Sequence, residues 1–362
     1  MATITSGPLR GIKVLEFAGL GPAPFCCMLL SDLGADVVRI DRPGSTYGPA
    51  DVEARGRSSL QLDLKSSDGK AQTLQLIAYA DILIEGFRPG VMERLGLGPD
   101  AALAANPRLV YGRMTGWGQN GPLAHKAGHD LNFLALSGAL HALGSRERPA
   151  VPLNLIADFG GGALYLAMGV LAALQSAQKS GCGQVVDCAM TEGVISMLGM
   201  IYGDFAEARW VDQRESNVID GAAPFYNVYQ CSDGLWLAVA CIEPVFHAAF
   251  LEAAEVRDVL FKDQWNRSLW PLQKQLLENL FRTRTRDAWL AVFEPVDACV
   301  TPVLSLAEAR QHPHNVARAA FVERQGIAQP APAPRFSASG AAIQDDASVT
   351  ASAILARWNP DD

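Results

Sequence analysis

Short apolar runs alternate with helical spacings through the first half of this chain. The runs that fit buried strands are residues 12–18, 36–41, 60–64, 81–85, 108–115 and 184–188. The segments with helical apolar spacing are residues 24–33, 68–79, a long stretch after Asp158, and about 191–208. Because parallel strands need a crossover connection, usually a helix, this alternation favours a parallel sheet covered on both faces. We predict a large α/β domain with a doubly wound, Rossmann-like sheet over residues 1–208.

The pattern changes after Arg209. Residues 226–231 and 235–241 flank Ser232-Asp233-Gly234, which is typical of a β-hairpin. Helical spacings follow at 243–254, 269–281 and 286–294. We predict a linker over 209–224, a smaller α+β domain over 225–325, a Pro/Ala-rich connector over 326–335, and a return of 330–362 to the large domain.

The composition limits what such a chain can bind. Its 362 residues are 49% hydrophobic and carry a formal net charge of −8. The apolar content is sufficient for two packed cores. Because an acidic chain repels polyphosphates, we do not expect nucleic acid as a partner.

We also expect no membrane span and a cytoplasmic location. The longest strongly apolar stretch, 163–174, is shorter than the roughly 20 residues that cross a bilayer. The first residues show no basic region followed by an apolar run, and the last carry no peroxisomal tripeptide. The seven cysteines are odd in number, lie in apolar segments and form no C-x-x-C pair, as expected of buried free thiols in a reducing compartment.

The turn after the first strand admits two interpretations. Its sequence, Gly19-Leu20-Gly21-Pro22-Ala23-Pro24, resembles a dinucleotide fingerprint, and Asp41 stands near the position of a ribose-binding acid. Pro24, however, occupies the third glycine position, where its ring would block close packing of helix and strand. A tight strand-to-helix turn explains the segment without a cofactor.

Three titratable residues stand at predicted element boundaries, and each has a structural alternative. Asp158 precedes an apolar helix, where a carboxylate commonly caps free N–H groups, and the glycines at 160–162 suggest a close approach of some other group. His129 lies at a loop-to-helix junction, where a structural role is common. Glu243 directly follows an apolar strand and could be a helix-start charge.

The remaining polar patterns concern anions and metals. Arginines concentrated in the first hundred residues could build a site for an anionic ligand, although each alone could be a solvated surface charge: Arg39, Arg42, Arg55, Arg57, Arg88 and Arg94. His125 and His129 are four residues apart, but Gly128 and the lack of a helical pattern argue against a metal pair. No Gly-x-Ser-x-Gly elbow is present.

Several of these segments together resemble CoA-transferase family III, the CaiB/BaiF group. The matching segments are 11–16, 33–43, 62–65, 81–90, 93–96 and 115–119. Within that family, Gly128-His129-Asp130 resembles the racemases, since the transferases usually carry an aromatic residue where this chain has His129. The stretch 241–245 also lacks the glycine-rich loop usual in the transferases.

The resemblance implies racemisation at C2 of 2-methylacyl-CoA thioesters through an enolate, in lipid and fatty acid metabolism. Inverting this carbon requires two acid/base groups on opposite faces. The resemblance makes His129 one base, oriented by Glu243, and Asp158 the opposing acid/base, with the backbone N–H of Asp130 stabilising the enolate oxygen. As alternatives, Asp158 would be the carboxylate nucleophile of a CoA-transferase, or the chain would be a non-enzymatic CoA-binding module.

The resemblance also implies the remaining contacts. CoA would be held by the large domain, through Arg39, Leu60, Gln61, Leu62, Asp63, Leu83, Ile84, Glu85, Arg88, Arg94 and Gly128. CoA is part of the substrate, and no further cofactor or metal is required. Two chains would interlock as a homodimer, with Glu243 contributed by the partner chain.

Overall fold

The computed structural model describes residues 7–359. Residues 1–6 and 360–362 lie outside the described residues. The expected absence of a secretory signal and of a peroxisomal tripeptide concerns these terminal residues. The strands are β1 (Lys13–Phe17), β2 (Asp36–Asp41), β3 (Ser58–Gln61), β4 (Ile82–Glu85), β5 (Val110–Thr115), β6 (Gln184–Ala189), β7 (Tyr226–Gln230), β8 (Trp236–Ala240), β9 (Val300–Val303), β10 (Phe321–Arg324), β11 (Ile327–Pro330) and β12 (Ala347–Ser348).

Helices connect most of these strands. The α-helices are α1 (Pro22–Asp32), α2 (Ser67–Ile77), α3 (Val91–Leu95), α4 (Pro99–Ala105), α5 (Asp130–Ser137), α6 (Ala139–Ala142), α7 (Tyr165–Ser180), α8 (Met190–Met197), α9 (Gly199–Ala206), α10 (Pro244–Ala253), α11 (Trp270–Phe281), α12 (Arg286–Phe293), α13 (Leu306–Gln311), α14 (Pro313–Ala317) and α15 (Ala351–Trp358). A π-helix, Leu155–Leu164, leads directly into α7, and short 3-10 helices lie at Val52–Ala54 and Val259–Lys262.

The chain divides into two compact units. The first contains the residues up to Ala139, Pro152–Leu198, and those from Ala319 onwards; the second contains Leu140–Val151 and Gly199–Arg318. The boundary therefore lies before α9, earlier than the predicted end of the large domain at 208, and the predicted linker 209–224 belongs to the second unit. The helical pattern of 191–208 forms two helices, α8 and α9, and the boundary falls between them.

The first unit is built on a seven-stranded parallel sheet in the order β12-β3-β2-β1-β4-β5-β6. This confirms the predicted α/β class and doubly wound sheet. The strand order reverses between β1 and β4, and in such sheets ligands bind outside the carboxyl ends of the strands at that point. Buried apolar side chains of β1, β2, β4 and β5 form the core, which Trp358 of α15 joins from the far end of the chain.

The C-terminal part of the first unit differs from the predicted connector. β11 lies inside 326–335 and pairs antiparallel with β10. The Gln329 side chain accepts a hydrogen bond of 2.8 Å from Arg55, so this segment is fixed to the unit rather than simply linking two domains. Its few apolar residues gave no strand pattern in the sequence.

The second unit contains a three-stranded sheet, β7-β8-β9. β7 and β8 form the predicted antiparallel hairpin around Ser232-Asp233-Gly234, and α10, α11 and α12 match the predicted helical patterns. Aromatic side chains dominate its core: Phe225, Tyr229, Phe250, Trp270, Phe281, Trp289 and Phe293.

The continuous helix Leu155–Ser180 is longer than the apolar stretch noted in the sequence. By length and composition alone its 26 residues could cross a membrane. In the first unit this helix covers the sheet, since Leu166 and Val170 lie against Gly112 of β5, and Phe159 stacks on Phe25 of α1 at 4.4 Å. These contacts pack one side of the helix against the first unit, while Leu164 and Met168 are exposed.

All seven cysteines are free thiols, as predicted. The buried cysteines are Cys26, Cys27, Cys188, Cys231 and Cys241, and Cys299 is partly buried. Cys182 is the exception, because it lies exposed in the turn between α7 and β6.

Candidate active site

Asp158 lies in the first turn of the π-helix and is half-buried. The helix begins at Leu155, three residues before it, so Asp158 is not the capping residue that its sequence position suggested. An added Cβ at Gly21 would lie 3.4 Å from Asp158 Oδ2, which places the carboxylate against the turn after β1. Gly21 has a φ of 72°, a conformation that glycine adopts without strain, so the tight-turn interpretation of this segment holds.

Asp130 joins the helix that begins after His129 to the helix that carries Asp158. The residue is only 5% exposed. Oδ2 accepts hydrogen bonds from the backbone N–H groups of Ala157 and Asp158, both at 2.8 Å. These N–H groups lie in the first turn of the π-helix and have no acceptor within it, so the carboxylate satisfies two donors that a helix start leaves open.

His129 is the N-cap residue of α5, and its side chain is exposed. Its backbone N–H donates to Asn132 Oδ1 at 3.1 Å, which fixes the entry of the chain into the helix. The structure therefore brings His129, Asp130 and Asp158 together at adjacent helix starts. Sequence reasoning placed all three residues in the site.

Charges and burial around Asp158 favour its protonated form. Burial raises the pKa of the Asp158 carboxyl, and the negative charge of Asp130 raises it further. A hydrogen bond from Asn154 and the positive form of the His129 ring act in the opposite direction without reversing the shift. Burial likewise raises the pKa of Glu53, to which the charge of Asp158 contributes, so a second carboxyl lies near this group.

The glycines after Asp158 serve helix packing. A Cβ at Gly161 would lie 2.8 Å from the Val194 nitrogen of α8, and one at Gly193 would lie 1.9 Å from the Gly161 oxygen. The close approach suggested by the sequence is thus that of α8 to the π-helix. Gly128 has a similar role, because a Cβ there would lie 2.6 Å from the Phe133 ring and 2.9 Å from the Trp117 ring.

A cavity of about 360 Å³ opens beside the turn after β1, where the strand order reverses. Its lining includes Gly19, Gly21, Arg39, Tyr47 and Glu53. A fully buried ion pair borders it, in which the Arg57 Nε donates to Glu16 Oε2 at 3.0 Å. Burial raises the pKa of Glu16 despite this partner.

Apart from Arg39 and Gly128, the predicted CoA contacts fall into three groups. Leu60, Gln61, Leu62 and Asp63 line a second cavity, of about 600 Å³, with residues 348–351. Leu83, Ile84 and Glu85 are fully buried in the central strand β4, so their side chains face the protein interior. Arg88 and Arg94 are exposed, as an anion contact requires.

Three of the six clustered arginines are buried in ion pairs instead of forming open surface charges. Arg39 pairs with Asp41 at 3.0 Å, Arg55 with Asp32 at 2.6 Å, and Arg57 with Glu16. The Arg39 guanidinium also lies over the Tyr47 ring, 3.7 Å from its centre. Arg42, Arg88 and Arg94 remain as the exposed cations of the set.

Glu243 belongs to the second unit. It is the N-cap residue of α10 and its side chain is exposed. The sequence predicted a helix-start position, which the structure confirms, while its role toward His129 stays a prediction. Within residues 7–359, no cluster of three His, Cys, Asp or Glu side chains could hold a metal ion.

Sequence reasoning missed three polar groups at this site: Asn154, Glu53 and the Asp130 carboxylate. Asn154 precedes Asp158 by four residues, and this spacing was the one feature of the sequence that could have indicated their contact. Glu53 lies in a short 3-10 helix, and no spacing relates it to Asp158. The Asp130 carboxylate bonds to groups 27 and 28 residues away, which no local pattern reveals.

Comparison with known proteins decides the family. A sequence model of CoA-transferase family III matches residues 9–348. The chain belongs to CoA-transferase family III. An alpha-methylacyl-CoA racemase of Mus musculus is 44% identical over 331 residues, which are 91% of this chain and 86% of that protein. One of Homo sapiens is 43% identical over 329 residues, 90% of this chain and 86% of that protein.

The fold comparison agrees with the sequence comparison. A crystal structure of a CAIB/BAIF family protein from Brucella suis superposes with a TM-score of 0.83 and 25% identity. The match covers 98% of this chain and all of that one. The resemblance stated from short motifs therefore extends over nearly the whole chain.

Proposed function

We propose that this protein is an isomerase that racemises 2-methylacyl-CoA thioesters at C2. The observation that carries the proposal is the joining of His129 and Asp158 at two helix starts through one buried carboxylate. Proton removal and return at one carbon need an acceptor and a donor held together. Relatives named alpha-methylacyl-CoA racemase, 43–44% identical over most of the chain, support the same activity.

This reaction needs the two residues in opposite protonation states. A neutral His129 ring takes the C2 proton from one face, and the protonated Asp158 carboxyl returns a proton to the other. Burial and the charge of Asp130 raise the pKa of Asp158, which favours the form that donates a proton. In the reverse direction the Asp158 carboxylate accepts and the His129 ring donates, so one pair serves both enantiomers.

Removal of the C2 proton leaves an enolate whose oxygen needs donors. Asp130 is the first residue of α5, so its backbone N–H has no acceptor within that helix. The N-terminal end of a helix also carries partial positive charge. We assign this N–H the stabilisation of the enolate oxygen. We assign the orientation of the His129 ring to Glu243 of the partner subunit.

The CoA moiety belongs at the carboxyl ends of the first strands. The two cavities there are lined by Arg39 and by residues 60–63, and Arg88 and Arg94 offer exposed charges to phosphates. CoA is substrate in this proposal, and the acid/base chemistry uses only the protein's own groups. A cytoplasmic location would keep the seven thiols reduced.

A homodimer is the proposed assembly. Neighbouring elements of the first unit expose large apolar side chains: Leu131, Leu136, Leu155, Leu164, Met168, Val185, Ile195 and Met197. The edge strand β6 lies among these elements, with its backbone open to pairing on one side. An apolar surface of this kind marks a protein interface, and a second copy of the chain is the proposed occupant.

Stereochemical analysis tests the activity. The purified protein is incubated with a single enantiomer of a 2-methylacyl-CoA, and the product is hydrolysed and resolved on a chiral phase. We expect both enantiomers to approach equal amounts. A protein that binds the thioester and leaves its configuration unchanged would contradict the proposal.

A CoA-transferase that uses Asp158 as nucleophile is the alternative. It would need a carboxylic acid acceptor and would give an acyl adduct on Asp158 that hydroxylamine traps. Relatives named alpha-methylacyl-CoA racemase, 43–44% identical over most of the chain, favour the racemase over this alternative. We expect no adduct and no dependence on an acceptor acid.

A further inference from the structure

The Asp130 side chain has a bonding pattern that helix capping alone does not explain. One oxygen, Oδ2, accepts both N–H groups, while Oδ1 is buried and has no hydrogen-bond partner among the described residues. None of the ion pairs among those residues includes Asp130. A buried negative charge held by two neutral donors is unfavourable for stability by itself.

We propose that the carboxylate of Asp130 is a positioning residue for the reaction, which fixes the Asp158 backbone to the start of α5 and directs its own charge at the Asp158 carboxyl. This role differs from that of the Asp130 backbone N–H. It also rests on the proposed function, because positioning matters only if His129 and Asp158 share a proton transfer.

The Asp130 carboxylate and the two N–H groups that bond to it form what we call the clamp. The clamp would fix the separation of the His129 and Asp158 side chains. His129 immediately precedes Asp130, and the two N–H groups that Asp130 holds belong to Asp158 and to the residue before it. A shift of α5 would therefore move the imidazole and the carboxyl together, which preserves their separation. Proton transfer is sensitive to displacements of about 1 Å, so a common anchor has functional value.

The negative charge of Asp130 is one of a few charged and polar groups that surround the Asp158 carboxyl. The titratable groups that face Asp158 are Asp130 and His129 at the start of α5 and Glu53 in the 3-10 helix. Asn154, on its own helix, donates a hydrogen bond. The elements α1 and α8 present Phe25, Met190, Val194 and Met197 to the π-helix, and the turn after β1 presents Gly21. Asp130 is the one of these carboxylates that bonds to the Asp158 backbone, so the loss of its charge should change the pKa of Asp158.

Replacement of Asp130 by asparagine separates charge from hydrogen bonding. The amide oxygen of Asp130→Asn can still accept both N–H groups, whereas Asp130→Ala removes the acceptor as well. Loss of a nearby negative charge lowers the pKa of a carboxyl, because the charge favoured the neutral form. We expect the alkaline limb of the racemisation profile of Asp130→Asn to move to lower pH. Asp100→Asn, which removes an exposed carboxylate from α4, is the matched control and should leave the profile unchanged.

A spectroscopic measurement makes the outcome independent of activity. The Asp158 carboxyl is followed by 13C NMR in aspartate-labelled protein and assigned by its loss in Asp158→Asn. Asp130→Asn should titrate Asp158 at lower pH than the wild type. If the enzyme fails to racemise but the Asp158 titration midpoint moves, the proposed role of Asp130 is supported and the proposed function is wrong. If a folded variant shows an unchanged midpoint and an unchanged pH profile, Asp130 is only a structural cap.

Hydrogen exchange of the wild-type protein covers the case in which the variant does not fold. The amides of Ala157 and Asp158 should exchange far more slowly than free first-turn amides, because Asp130 holds them. Exchange at the rate of an exposed amide would overturn the clamp.

Discussion

In the proposed reaction His129 and Asp158 act on opposite faces of C2. Their replacements should therefore slow the reaction of opposite enantiomers. We predict that His129→Ala slows proton removal from one enantiomer far more than from the other, and that Asp158→Asn reverses this preference. General acid/base catalysis contributes about 10²–10⁴-fold, so the favoured and disfavoured rates should differ on that scale. The measurement is the initial rate of C2 proton loss from each pure enantiomer. Equal losses for both enantiomers in both variants would mean that the residues support the site without dividing the faces.

Also at the scale of residues, the sequence predicted the positions of individual residues better than their contacts. It placed His129, Asp158 and Glu243 at element boundaries, and all three lie at or near helix starts. It could not reveal the Asp130 carboxylate bond, which depends on two helices packing across more than twenty intervening residues. It also took Arg39, Arg55 and Arg57 for open charges, because a single sequence does not show which carboxylate each side chain meets.

At the scale of elements, the packing of the π-helix against α8 controls where Asp158 lies. We predict that Gly193→Ala lowers the free energy of unfolding by about 1–3 kcal/mol, because its new methyl group would meet the Gly161 carbonyl. Gly203→Ala in α9 is the matched control: nothing lies within 4 Å of its added Cβ, so it should raise stability by about 0.5–1 kcal/mol. Urea unfolding of both variants measures the difference. A Gly193→Ala variant as stable as Gly203→Ala would show that the two helices do not approach so closely.

The elements themselves were predictable where the apolar period was strong. The strand at 36–41 was predicted with its observed bounds, and the hairpin of β7 and β8 follows from its turn residues. A helix after Asp158 was predicted, but its start at Leu155 and its π form were not, because three consecutive glycines weaken the helical signal and the start packs against α5 and α8. β12 and α15 were missed for a similar reason: they are short and are stabilised by the sheet and core that they join.

At the scale of the whole molecule, the exposed apolar face of the first unit should control assembly. We predict that the wild-type protein sediments as a dimer and that Met168→Asp, which puts a charge on that face, shifts it toward the monomer. Tyr79→Asp, at an exposed apolar position after α2, is the control and should remain dimeric. Sedimentation velocity over a range of concentrations measures both. A monomeric wild type, or a Met168→Asp variant that dimerises as tightly, would contradict the proposed assembly.

The most direct test of the account follows hydrogen at C2 of the substrate. A 2-methylacyl-CoA is incubated with the protein in heavy water, without any carboxylic acid acceptor, and the thioester is examined by mass spectrometry and NMR. Proton transfer through an enolate predicts one deuterium at C2, gained at a rate that falls strongly in His129→Ala and in Asp158→Asn. Binding of the thioester with no deuterium at C2 would contradict it.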